Sequence, residues 1–310
     1  MKEVIAGIDI GGTKIALAIA TPDRRIIAKT KFPTEIARGP EWILQDCAER
    51  AAKLAAEAGA EVSGFGVGCA GPVDIANGRV LSPPNLPGWN NFPIVEALAK
   101  YSGVPVVLEN DANVAALGEQ AFGAGRAFNN IIYVTISTGI GGSIISSGNI
   151  IHGLTGNAGE IGHMTVMPGG PVCGCGARGC LEAICSGTNI AKRFLQELHN
   201  GRESSLKLVS GTPITTVDVA RAAAAGDPLA KEVWDETIYY LAIGIGNLIV
   251  MFEPEAIIIG GGVSLTGDLL FAGLRTAVKE HVKIFPIDKI QILPAELGGE
   301  SGLYGTLALF

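Results

Sequence analysis

The sequence predicts an α/β protein built from two related halves, and three observations carry that prediction. An apolar run ending in a glycine turn, Val4 to Lys14, returns as Asn130 to Ser143, setting Gly141-Gly142-Ser143 over Gly11-Gly12-Thr13 at a spacing of 130 residues. Short apolar strand-like runs alternate with longer segments of helical periodicity, the pattern of layered α/β domains. A chain of 310 residues, 48% of them apolar, also has material for two cores.

The strand beginning at Val4 feeds the turn at Gly11, and a second strand, Ile15 to Ala20, returns through Pro22-Asp23 into a third, Ile26 to Lys31. Pro40 opens a helix to about Ala58, with Trp42, Ile43, Cys47, Ala51, Leu54 and Ala58 at helical spacing. Strand Ser63–Val67 leads into a loop rich in Pro, Asn and Gly, followed by helix Ile94–Ser102, strand Val104–Leu108 and helix Val114–Gln120. After the second glycine turn come strands Ile144–Ser147 and Ile150–Ile151, helices near 187–200, 216–225 and 228–252, and the buried strand Ala256–Ile259. The reading places one domain at residues 1–115 and the other at 116–299, with a C-terminal helix over about 300–310 packing back on the first.

A net charge of −7 and the lack of any Lys/Arg block argue against nucleic-acid binding. The longest apolar run, Tyr239 to Phe252, carries Asn247 and is short for a membrane span, so it reads as a buried helix. Met1-Lys2-Glu3 leads straight into a strand, and the expectation is a soluble cytoplasmic protein without a targeting segment.

His163 precedes Cys173-Gly-Cys175-Gly-Ala-Arg-Gly-Cys180, and Glu182 follows. Three thiols and one imidazole make the four-ligand set that a closed, structural zinc site prefers. Cys173 and Cys175 are too close for comfortable disulfide geometry. Glu160 and Glu182 are poor additions to a site already holding four ligands; they read as carboxylates that the loop positions for another partner.

Asp9-Ile-Gly11-Gly12-Thr13-Lys14 has the parts of a phosphate grip, in bare backbone N–H groups, a hydroxyl and a cation. Asp9 would repel phosphate, so its natural task is to hold Mg²⁺ through water. Thr138-Gly139 belongs to the partner turn, and Gly260-Gly261-Gly262 could admit a nucleoside. Each of these turns, taken singly, also fits an ordinary hairpin. Gly66-Val-Gly-Cys-Ala-Gly71 matches a dinucleotide fingerprint by letter, but Pro72 and turn residues follow where a helix is needed. Glu109-Asn110-Asp111-Ala112-Asn113 lies where a strand ends and a helix starts. There a carboxylate is either a helix cap or an ionised acceptor for a hydroxyl proton.

Asp9-x-Gly-Gly-Thr-Lys14, Glu160-x-Gly-His163 and Cys173-x-Cys-Gly-x-x-Gly-Cys180-x-Glu182 together resemble the ROK family of sugar kinases and related repressors, across essentially the whole chain. The resemblance implies a two-domain actin/hexokinase-like fold, a duplicated ribonuclease-H-like design with an interdomain cleft. It implies ATP-dependent phosphorylation of a hexose at the 6-hydroxyl, with Asp111 as the base. Asn110, Asp111, Glu160, His163 and Glu182 match the family's sugar positions, joined by Asn85 and Gly71. His163, Cys173, Cys175 and Cys180 match its structural zinc site. A homodimer or homotetramer is implied too. Within the family the Ser82–Trp89 loop and the Glu160/His163/Glu182 set look most like those of its glucokinases. Kinases for N-acetylmannosamine, N-acetylglucosamine, mannose or fructose share most of the motifs. A sugar-responsive repressor would carry a helix-turn-helix segment, for which the strand at Val4 leaves no room, and a non-catalytic sugar sensor would need Asp111 to be only a cap.

Overall fold

Alternating large and small side chains build the first sheet. A computed structural model describes residues 2–207, 212–284 and 286–310. Its elements begin β1 (Lys2–Ile10), β2 (Lys14–Ala20), β3 (Ile26–Pro33), α1 (Pro40–Glu57), β4 (Ala60–Cys69), β5 (Val73–Asp74), β6 (Arg79–Val80), α2 (Ile94–Ser102), β7 (Val106–Asn110) and α3 (Asp111–Phe122). They continue with β8 (Ile131–Ile136), β9 (Ile140–Ser146), β10 (Asn149–Ile150), α4 (Leu181–Cys185), α5 (Gly187–His199) and α6 (Thr216–Ala224). Last come α7 (Pro228–Phe252), β11 (Ala256–Gly260), α8 (Asp268–His281), β12 (Gln291–Pro294) and α9 (Ser301–Leu307).

The chain forms two units: Met1–Ala127 with Asn149–Ala158 and Glu296–Phe310, and Phe128–Gly148 with Gly159–Ala295. In the first, the strands run β3-β2-β1-β4-β7, the first two pairings antiparallel and the last two parallel. Ile15, Leu17 and Ile19 of β2 join Ile8 and Ile10 of β1 in a core with Ile43, Leu44, Cys47 and Ala51 of α1. The opposite face carries small residues. Ala16, Ala18 and Ala20 meet Leu303 and Leu307 of α9, and a Cβ on Gly66 would lie 1.9 Å from the Thr306 carbonyl oxygen. Gly66, the first glycine of the dinucleotide-like pattern, is therefore a packing residue that lets α9 approach the sheet.

The first unit runs beyond residue 115 to Ala127, a correction to the boundary expected from the sequence. The cause is the contact between α3 and α9, which meet backbone to backbone: a Cβ on Gly305 would lie 1.5 Å from the Val114 carbonyl oxygen. Helix α3 cannot be divided from this unit.

In the second unit the strands run β9-β8-β11-β12, again antiparallel, parallel, parallel. The same order, β2-β1-β4-β7, occurs in the first unit, so the duplication lies in topology. Its register differs from the expected one. The hairpins close at Ile10/Ile15 and at Ile136/Ile140, which sets Ser137-Thr138-Gly139 over the first glycine turn. Gly141 and Gly142 lie inside β9, not in the turn. Helix α7 is long and apolar enough to cross a membrane by length and composition. Leu241, Ile245, Leu248 and Ile249 along it are buried, as a core helix requires.

Candidate functional site

In the first unit Asp9 is the penultimate residue of β1, opposite Ala16 on β2 and Gly68 on β4. Burial, followed by the nearby charge of Asp111, pushes its carboxyl up to about 6. Lys14 and Lys31 pull the other way. The following turn is pinned at both ends: Gly11 N–H donates to the Lys14 carbonyl at 3.1 Å, and Thr34 N–H to the Thr13 carbonyl at 3.0 Å. Thr13 and Lys14 are exposed. Asn85 is brought onto this turn, since a Cβ on Gly12 would lie 2.6 Å from its carbonyl oxygen.

Strand β7 delivers Asn110 and Asp111 to the start of α3. Asn110 is the helix cap, its Oδ1 accepting the Ala112 N–H at 2.9 Å. Asp111 is the first helical residue and exposed, with Oδ1 2.8 Å from the same N–H. The capping role thus falls to Asn110. A Cβ on Gly71 would come within 2.8 Å of the Asn110 amide nitrogen, so those two predicted residues also meet.

The second unit gathers the thiol and imidazole groups. The ligand atoms of His163, Cys173, Cys175 and Cys180 all lie within 4.8 Å of one another. Cys173 Sγ is 3.6 Å from His163 Nδ1, and Cys175 Sγ is 3.8 Å from Cys180 Sγ. Bonds of about 2.0–2.3 Å to a tetrahedral zinc would separate neighbouring ligands by roughly 3.5–3.8 Å. The spacing therefore fits such an ion, and all six cysteines are free thiols. His163 turns Nδ1 to the sulfurs and Nε2 toward Glu160, whose Oε2 is 3.8 Å away. Glu160 is exposed.

Glu182 stands in the first turn of α4, two residues after Cys180. Its Oε2 accepts the Ile140 N–H at 2.8 Å, and a Cβ on Gly139 would lie 2.5 Å from that oxygen. The cysteine loop is thereby tied to the turn holding Thr138 and Gly139. That turn is pinned to α5 as well, since Gly187 N–H donates to the Ser137 carbonyl at 2.7 Å.

Ser137 and Thr138 open into a cavity of about 950 Å³, mostly apolar, which Gly262 and Val263 also line. Gly260 is buried in β11. Gly261 has φ 85°, and a Cβ there would lie 2.4 Å from the Ile136 carbonyl oxygen, so only glycine fits. The remaining wall comes from α5 and the start of α6, including Lys192, His199 and Thr215. None of these wall residues belongs to a motif. Their signal was the spacing Thr188, Ala191, Lys192, Leu195, His199, which reads as an ordinary helix face. His152 also escaped the sequence reading; its Nε2 lies 2.7 Å from Glu109 Oε2 in the first unit.

A family model described as ROK family matches residues 5–310. The chain is 37% identical to the glucokinase of Thermotoga maritima, covering 99% of this chain and 97% of that one. Among solved structures it resembles the ROK hexokinase from Thermus thermophilus, with a TM-score of 0.88 and 35% identity over 98% of this chain and 97% of that one. It also resembles a ROK family glucokinase from Streptomyces griseus in complex with glucose and AMPPNP, with a TM-score of 0.76 and 36% identity over 99% and 98% of the two chains. The two units with their repeated strand order are the α/β, actin/hexokinase-like architecture.

Proposed function

The chain belongs to the ROK family, and from that premise we propose that it is an ATP-dependent hexose kinase, with glucose as its substrate. The observation that carries this reading is the near full-length identity to glucokinases, including one solved with glucose and AMPPNP.

Asp111 is the base in this reading. Its carboxylate accepts the proton of the sugar 6-hydroxyl as that oxygen bonds to the γ-phosphorus of ATP. The bond from phosphorus to the bridging oxygen breaks, leaving ADP and glucose 6-phosphate. The transition state is loose, so alignment of the attacking oxygen counts for more than basicity. An exposed, helix-terminal carboxylate suits that task. Asn110, Glu160, His163 and Glu182, with Asn85 and Gly71, serve the sugar, whose hydroxyls need acceptors as well as donors. The turn Gly11–Lys14 and the Thr138–Gly139 turn hold phosphates, and the apolar cavity beside Gly262 suits a nucleoside in volume and lining. Asp9 would hold, through water, a Mg²⁺ bound with ATP, an ion that would offset the charge of the phosphates.

The four-ligand cluster is read as a structural zinc site, supported by its spacing and by the lack of a vacant ligand position. Zinc there would fix the His163 ring with Nε2 turned outward. The cytoplasm and a homo-oligomeric state belong to the same proposal.

A coupled ADP-release assay with Mg-ATP tests the reading against glucose, mannose, fructose, N-acetylglucosamine and N-acetylmannosamine, with products identified by mass. The expected outcome is a kcat/KM for glucose at least about tenfold above the others, since one site-matched hydroxyl is worth that much or more. A clear preference for an acetamido sugar would keep the chemistry and replace the substrate. No turnover, with glucose still bound, would overturn the kinase.

A further inference from the structure

Beside the proposed base lies a buried charge that phosphoryl transfer does not itself use. Glu109 is the penultimate residue of β7, with 4% of its side chain exposed. A buried carboxylate is costly unless paired and hydrogen-bonded. Three partners serve this one. Oε1 accepts the backbone N–H of Asn110 at 2.9 Å and the side-chain amide of buried Asn113 at 2.8 Å. Oε2 lies 2.7 Å from Nε2 of His152. These groups come from the strand end, from the first turn of α3 and from the loop after β10. They meet at the corner where strand becomes helix.

The same corner sets Asn110 and Asp111. Asn110 is held at φ −68°, ψ 149° with its own N–H on Glu109, and its side chain caps the Ala112 N–H that Asp111 also reaches. His152 contributes from a loop closed on itself by the Ala158 N–H donating to the His152 carbonyl at 3.0 Å. With Glu109 anchored from one side by this loop and from the other by Asn113, the first turn of α3 has little freedom to tilt.

We propose that the Glu109–His152 pair is a positioning device for Asp111, holding the first turn of α3 so that the Asp111 carboxylate lines up with the sugar hydroxyl. The proposal rests on Asp111 being the base. Neither Glu109 nor His152 is asked to touch substrate.

The test compares His152→Ala, His152→Gln, Asp111→Asn and the His152→Ala/Asp111→Asn double variant, by steady-state kinetics with glucose and Mg-ATP and by thermal melting. Misplacing a reacting group by about 1 Å can cost roughly 100-fold. His152→Ala should therefore lower kcat by about 10- to 100-fold while KM for both substrates stays within roughly threefold. The amide of His152→Gln can still donate to Glu109, and should restore kcat to within about threefold of the parent protein. In the Asp111→Asn background, removing His152 should cost no more than about twofold in residual turnover, because the group it positions is gone. A His152→Ala variant with parental kcat would sink the proposal, as would equal losses with and without Asp111, or alanine and glutamine behaving alike. Asp111→Asn retaining its turnover would instead remove the base assignment, and this proposal with it. Should His152→Ala fail to fold, Glu109→Gln, which keeps the shape and loses the charge, takes its place with the same expectations.

Discussion

Asn110 and Asp111 in the first unit, and Glu160, His163 and Glu182 in the second, are held in place by different means. The first pair stands where a sheet strand becomes a helix, and ordinary hydrogen bonds from Glu109 and the Asn110 cap fix it. The second set brackets the cysteine loop, with Glu182 on α4 just beyond it, and the buried apolar cluster there amounts to Cys173, Cys180 and Ala183. So small a cluster stabilises little by burial, roughly 25 cal/mol per Å² removed from water. Four metal-type ligand atoms converge there. The contrast is that regular structure points Asp111, whereas a loop with so small a core would gain from a cross-link, which a metal on these four ligand atoms would supply.

Three substitutions would break or sharpen that contrast. Asp111→Asn removes chemistry without removing support, because Asn110 is the cap. We expect kcat to fall by about 10³- to 10⁴-fold, with glucose affinity within a few fold of the parent and an unchanged melting temperature. A variant keeping a tenth of its turnover would refute the base assignment.

Cys175→Ser acts on the other region. We expect elemental analysis to fall from one zinc per chain to none, and glucose affinity by calorimetry to weaken by about 10- to 100-fold as Glu160 and His163 lose their frame. Parent protein purified without chelator and free of zinc would show that the loop needs no metal, and the contrast would vanish.

Asp9→Asn has the smallest expected effect and reports on stability. The folded pKa of Asp9 is raised to about 6 from 3.8, so folding favours its protonated form. Its ionisation therefore weakens the fold: the penalty is absent below pH 3.8, grows as pH rises toward 6, and is complete above that. A shift of about two pKa units corresponds to roughly 3 kcal/mol at most. The Asn variant should melt several degrees higher than the parent at pH 8 and at about the same temperature at pH 3.5. Equal melting at both pH values would place Asp9 in an unstrained setting.

Much of this was legible in the sequence. The four metal-type ligands could be read because cysteine and histidine at short spacings have few other uses. Asp9 to Lys14 could be read because glycines next to Thr and Lys at a strand end mark a turn with donors. The repeat was legible as a repeat but misplaced in register: Gly141 and Gly142 resemble Gly11 and Gly12, yet pairing of β8 with β9 draws both into the strand. Residues that work only across the fold left no mark. His152 carries no local pattern linking it to Glu109, 43 positions earlier, and the cavity face of α5 has the periodicity of any half-buried helix.

By itself the sequence determined the α/β class, the duplication, the cluster of four metal-type side chains and the identity of the carboxylate at the start of α3. These depend on residue type and short-range spacing, which chain chemistry alone dictates. Tertiary structure decided where the first unit ends, which glycines pack against helices, and what stands behind Asp111. Each of those depends on segments far apart in the chain reaching one place: α9 on β1 and α3, α4 on the Ser137–Gly139 turn, the loop after β10 on Glu109. Such contacts are set by packing and by the need to pair buried polar groups, and no window along the chain contains both partners.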